Sequence, residues 1–123
     1  MPDVHVVTTN IGALSNATRP LFKAPTNAQG GGCITVVAAN VLQGGTASSN
    51  LRLIKLASSG TVVSGTLSSA SIGTVSAFAA NVPQAFTISD GFVDAEEWVG
   101  IIEENTVACN VVTIVQVSYV MGR

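Results

Sequence analysis

The sequence predicts an all-β fold, an antiparallel β-sandwich or jelly roll of about eight short strands. Three observations carry this. Runs rich in Val, Ile, Thr and aromatic residues recur along the chain, Gly, Ser, Asn and Pro clusters separate them, and no stretch shows an amphipathic helical period. Residues 1–123 are expected to form a single domain, because a chain of this length buries a core without needing disulfides or metals.

Taken in order, Val4 to Thr9 is a β-branched run closed by Asn10 and Gly12, so residues 1–10 read as an edge strand or an N-terminal arm. Ala13 to Ala17 fits one helical turn, but Asn16, Thr18 and Pro20 end it and a loop is expected. Arg19 to Ala24 reads as a short strand that Pro20 confines to an edge, since proline donates no hydrogen bond to a ladder. Pro25 to Gly32 is turn-rich. Cys33 to Leu42, centred on Ile34-Thr35-Val36-Val37, is a strand stopped by Gly44-Gly45.

Leu51 to Leu56 and Thr61 to Leu67 flank Ser58-Ser59-Gly60 and read as a hairpin, although Ile54 and Leu56 break the alternation of the first arm. Ser68 to Asn81 is uncharged and built almost wholly of small residues, which suits a loop or a stretch packed against a neighbouring copy. Gln84 to Ser89 alternates with a period of two, and Asp90-Gly91 is the clearest turn signal in the chain.

The final third holds the single Trp and the single Tyr. Trp98 to Ile102 and Val111 to Met121, with a polar break at Glu103 to Asn105, read as a terminal hairpin at the centre of a sheet. In Val111 to Met121 both parities carry apolar side chains. A sheet covered on one face alternates more cleanly, so the second face is expected to be covered in part, by the rim of the other sheet or by another subunit.

Composition narrows the function. Charged residues make up 10% of the chain against roughly 25% in an average domain, while the hydrophobic share of 47% is ordinary. The surface is therefore unusually neutral, and few like charges keep copies apart, which favours an oligomer. A net charge of −2 and five scattered basic residues offer no footprint for a phosphate backbone, so no nucleic-acid partner is expected. Met1-Pro2-Asp3-Val4-His5 lacks the basic and apolar regions of a signal peptide, and no apolar run reaches the roughly 20 residues of a spanning helix. No membrane association is expected, and synthesis in the cytoplasm of the producing cell follows. Cys33 and Cys109 read as small buried hydrophobes rather than a disulfide.

No catalytic constellation is legible. Asp90, Asp94, Glu96, Glu97, Glu103 and Glu104 are six of the seven acidic residues, but their spacing does not match a calcium loop, and they read as solvated carboxylates at turns. A docking patch for a basic partner is a lesser alternative. His5 is the only histidine, so one chain builds neither a histidine metal cluster nor a triad. The Gly30 to Gly32 run lacks the Lys-Ser/Thr of a phosphate loop. The expectation is a non-enzymatic structural protein with no cofactor and no metal.

Glu97-Trp98-Val99-Gly100-Ile101 and Val115-Gln116-Val117-Ser118-Tyr119-Val120 resemble the closing strands of small jelly-roll domains, over about the last 35 residues. Such strand pairs occur in the capsid decoration, or cement, proteins of tailed bacteriophages and in C1q/TNF-like trimeric modules. Similarity to the decoration proteins implies a homotrimer on the capsid surface of the virion, made in the host cytoplasm, with the major capsid protein as partner, bridging capsomers at their junctions. A phage tail or fibre component, a C1q/TNF-like head and a carbohydrate-binding sandwich are the alternatives. His5, Arg19, Phe22, Lys23, Phe78, Trp98 and Tyr119 are the candidate interface residues, with the N-terminal arm and the Pro20 to Gly32 region expected against the shell.

Overall fold

The computed structural model of the chain describes residues 3–12, 18–25, 32–43, 50–68, 83–104 and 113–122. Among them the regular elements are all strands: β1 (Val4–Gly12), β2 (Thr18–Lys23), β3 (Ile34–Gln43), β4 (Asn50–Leu56), β5 (Val63–Thr66), β6 (Gln84–Ala85), β7 (Phe92–Val93), β8 (Trp98–Glu104) and β9 (Thr113–Met121). Every pairing between them is antiparallel.

Two sheets result. One runs β1-β9-β3-β6 with β7 also on β3, and the other runs β2-β8-β4-β5. The two short strands behave as one interrupted strand. β6 pairs with Asn40 and Val41 and β7 with Ile34 and Thr35, while Phe86 N donates to Ala39 O at 2.9 Å and Val36 N donates to Gly91 O at 2.8 Å between them. Counted that way the described residues form an eight-stranded jelly roll, its strands distributed between two facing sheets.

This order corrects the terminal hairpin. β8 and β9 do not pair: β8 lies between β2 and β4 in one sheet, and β9 lies between β1 and β3 in the other. Each is central to its own sheet. The polar break is displaced too, because Glu103 and Glu104 belong to β8, Glu103 standing opposite Leu51 and Glu104 opposite Asn50.

The hairpin of β4 and β5 forms as expected, with Ile54 opposite Thr66 and Lys55 opposite Gly65. Ala57 N donates to Val62 O and Gly60 N to Ala57 O, both at 2.8 Å, and Gly60 takes a positive φ of 77° that a side chain disfavours. β2 is an edge strand carrying Pro20 at a register shift between Pro20 and Phe22, as the proline requires. The Gln84 to Ser89 alternation survives in burial rather than in pairing. Phe86 is buried and Ile88 half-buried, while Ala85, Thr87 and Ser89 are exposed.

The core lies between the sheets. Ile34, Val36, Ala39 and Val41 of β3 and Val115 and Val117 of β9 meet Leu51 and Leu53 of β4 and Val99 and Ile101 of β8, with Leu67, Phe86 and Val93 closing it. Ile54 and Leu56 stand on the other parity of β4, outside this cluster, yet are only 1% and 0% exposed. The irregular pattern of the β4 sequence therefore reflects burial on both parities. Gly91 is the tightest backbone approach: a Cβ there would overlap the carbonyl oxygen of Val36. Its lack of a side chain is what lets the Asp90-Gly91 turn dock on β3.

Candidate interaction surface

The aromatic residues at the candidate interface are tied into the fold by their strand positions. His5 and Tyr119 are register partners in β1 and β9, and their rings stack at 5.2 Å with an interplanar angle of 22°. Phe22, from β2 in the opposite sheet, also stacks with Tyr119, at 5.3 Å and 26°. The row links the two sheets and ends in solvent at His5, which is exposed.

Lys23 and Trp98 are register partners in β2 and β8, and the Lys23 ammonium sits 5.9 Å from the indole centroid. The Trp98 Nε1–H donates to Ser58 O at 3.0 Å, and a Cβ on Gly60 would lie 3.4 Å from that nitrogen. Trp98 thus fastens the β4–β5 turn to β8. Phe78 and Cys109 lie outside the described residues. Cys33 carries a free thiol and is half-buried, which corrects the expectation of full burial.

Arg19 turns toward the protein rather than away from it. Its Nη1 donates to Ile11 O at 2.7 Å, and its Nε meets Glu103 Oε1 at 3.3 Å. The Glu103 side chain is completely buried, so Glu103 is not the solvated turn carboxylate expected from the sequence. Asp90, Asp94 and Glu96 are exposed as expected. Glu97 is half-buried and held by Ser64 Oγ, which donates to Oε2 at 2.8 Å, and by Asp94 N, which donates to Oε1 at 3.0 Å. Among the described residues no group of three or more His, Cys, Asp or Glu is gathered for a metal ion.

A further apolar surface lies on the outer face of the β1-β9-β3 sheet. By register, Val4, Val6, Thr8 and Asn10 of β1 face Val120, Ser118, Gln116 and Ile114 of β9, which in turn face Thr35, Ala38, Asn40 and Leu42 of β3. None of these side chains is charged. Val4, Val6 and the bulged Val37 are 59%, 55% and 49% exposed, the largest such values on this sheet among the described residues. A groove of about 300 Å³ opens here, lined by Thr8, Asn40, Val41, Leu42, Pro83, Ile114 and Gln116.

The sequence pointed to a second face on β9 but not to the β1 and β3 residues that complete it. Its signal was the second apolar parity of Val111 to Met121, of which Ile114 and Val120 are half-buried and Gln116 is exposed.

No protein-family model matches the chain, and no curated protein matches it. Its fold is similar to that of a chain in the cyanophage Pam1 capsid asymmetric unit, with a TM-score of 0.62 and 17% identity. The match covers 98% of this chain and 86% of that one. At that identity the shared property is the fold. It spans the jelly roll from end to end.

Proposed function

We propose that this chain is a structural component of a bacteriophage virion, a decoration protein that lies on the capsid surface and bridges capsomers, with three copies meeting around a junction. The fold likeness to a capsid chain over nearly the whole length is the observation that carries this reading. It is fold-level analogy, and the surface chemistry adds to it. A sheet face without charge, with three exposed valines and a row of Thr8, Gln116 and Asn40 across three strands, suits burial against another protein more than solvent.

On this reading no reaction is carried out. Each copy contributes modest contacts, and repetition over a closed shell raises the cost of separating any one capsomer. A carbohydrate-binding role has less support, because among the described residues no aromatic ring lines the groove beside Asn40 and Gln116 for a sugar to stack on.

The test is co-sedimentation of the purified chain with shells assembled from the capsid protein of the same virus, followed by heating. Saturable binding in fixed stoichiometry, a rise in the disruption temperature of the shell, and three copies per binding site are expected. Shells that pellet alone and break at an unchanged temperature would overturn the proposal.

A further inference from the structure

The two sheets divide the charge of the chain unequally. Arg19, Lys23, Arg52, Lys55, Glu103 and Glu104 all belong to strands of the β2-β8-β4-β5 sheet. The strands of the other sheet, β1, β9, β3, β6 and β7, contain no Asp, Glu, Lys or Arg. Asp3, Asp90 and Asp94 stand outside those strands.

Burial accounts for only half of this segregation, because alternate residues of a strand point to opposite faces. The inner face of the uncharged sheet belongs to the core. Its outer face is open: Val4, Val6 and Val37 are 59%, 55% and 49% exposed, with Thr8, Ala38 and Gln116 exposed beside them. The outer parity of the charged sheet shows the reverse. Ile54 and Leu56 are already buried there, while Lys23, in register with Trp98 and through it with Leu56, is exposed. A face that stays in water gains solubility from charge, whereas a face that becomes dry is penalised for every unpaired charge it holds. The open face has the composition of a surface that becomes dry.

We infer that the outer face of β1, β9 and β3 is the face applied to the capsid shell, against an uncharged patch of shell protein, with the charged sheet turned to solvent. This rests on the capsid reading. Charge and area select the occupant. The face has no ion to offer and would strand any charge it covered, so the patch it fits is uncharged as well. Strands of nine or ten residues at about 3.4 Å per residue, three of them about 4.8 Å apart, give a footprint of roughly 400 Å² per copy. That is about half of the roughly 800 Å² per partner of a stable interface, so two copies placed face to face would not hold together. Copies joined to one another on a shell bind through several footprints at once, and repetition supplies what one footprint lacks. Thr8, Gln116 and Asn40, in one row beside the groove of about 300 Å³, offer a hydroxyl and two carboxamides to main-chain groups of the shell protein.

The test is co-sedimentation with shells of the same virus, at about 0.05 M and about 0.5 M NaCl, of the wild type, Val6→Lys, Gln116→Lys and Val62→Lys. Val6 and Gln116 are exposed on the face, and Val62, 60% exposed, follows the turn between β4 and β5 in the other sheet. Wild-type affinity is expected to change by less than about threefold between the two salts, because the contact holds no ion pair to screen. Val6→Lys and Gln116→Lys should each weaken binding by about tenfold or more with unfolding midpoints close to the wild type's, and Val62→Lys should bind as the wild type does.

A wild type that stays in the supernatant would overturn the inference together with the capsid reading. Binding that survives both Val6→Lys and Gln116→Lys, or that falls more than about tenfold at the higher salt, would overturn the inference and leave that reading standing. So would a solution mass of the free chain that drops in Gln116→Lys, which would make a second copy the occupant.

Discussion

Arg19 on β2 and Glu103 on β8 meet at 3.3 Å, the carboxylate side chain fully buried and the arginine side chain 32% exposed. The asymmetry decides what breaking the pair does. Arg19→Met removes this cation from beside a buried carboxylate and should cost about 2–4 kcal/mol in urea unfolding, below the range for a wholly buried pair because the arginine is partly solvated. Adding Glu103→Leu should recover most of the loss. A double variant no more stable than Arg19→Met would show that the loss lies in packing rather than in the buried charge.

Gly91→Ala should be among the most damaging single substitutions. The new methyl would overlap the Val36 carbonyl and displace the 2.8 Å bond from Val36 N to Gly91 O, at a cost of about 3 kcal/mol or more. Gly100→Ala should cost less, about 1–3 kcal/mol. Its Cβ would lie 2.8 Å from Leu56 Cδ1 and 2.9 Å from the Arg19 carbonyl oxygen, and the first of these belongs to a side chain that can shift. Chemical denaturation of both variants checks the ranking.

Glu96 should be improvable. It is exposed and holds a positive φ of 67°, in the left-handed region that costs an L-residue about 1–2 kcal/mol. The turn it occupies is held by its neighbours, Glu97 N donating to Asp94 O at 3.1 Å and Ala95 N to Asp94 Oδ1 at 2.8 Å. Glu96→Gly should therefore raise stability by about 0.5–1 kcal/mol, and a midpoint that falls instead would mean the carboxylate has a role in the turn.

Tyr119 and Phe22 should be energetically coupled across the two sheets. A double-mutant cycle with Tyr119→Leu and Phe22→Leu should give a coupling of about 0.5–1.5 kcal/mol beyond the area each ring buries. Strict additivity would reduce the 5.3 Å stacking to mere adjacency.

What the sequence revealed divides by range along the chain. The β3 strand, the β4–β5 hairpin and the edge position of Pro20 were legible because each depends on local chemistry: a β-branched run, a Ser-Ser-Gly turn, a missing N–H. The pairing of β8 with β9 was misread because periodicity marks a strand without naming its neighbour. Glu103 looked like the start of a loop, since its place in a strand depends on Arg19, near the other end of the chain.

The candidate interface was legible in part. Aromatics and cations drew attention to His5, Phe22, Tyr119, Lys23 and Trp98, and the structure joins the first three in one stack and the last two in one pair. The uncharged outer face was harder to see. Its residues come from three strands, and only the register sets Thr8, Gln116 and Asn40 in a row.

The placement of β9 between β1 and β3 has a consequence for how the molecule is born. A ribosome delivers β1 first and β9 much later, yet β1 has no other described strand to pair with in its sheet. Until Thr113 to Met121 emerges, the valine-rich first strand waits without its ladder, and the half-made chain has one sheet assembled and the other open. Closing this sheet then waits on contacts between strands far apart in the sequence, the kind of contact that slows folding.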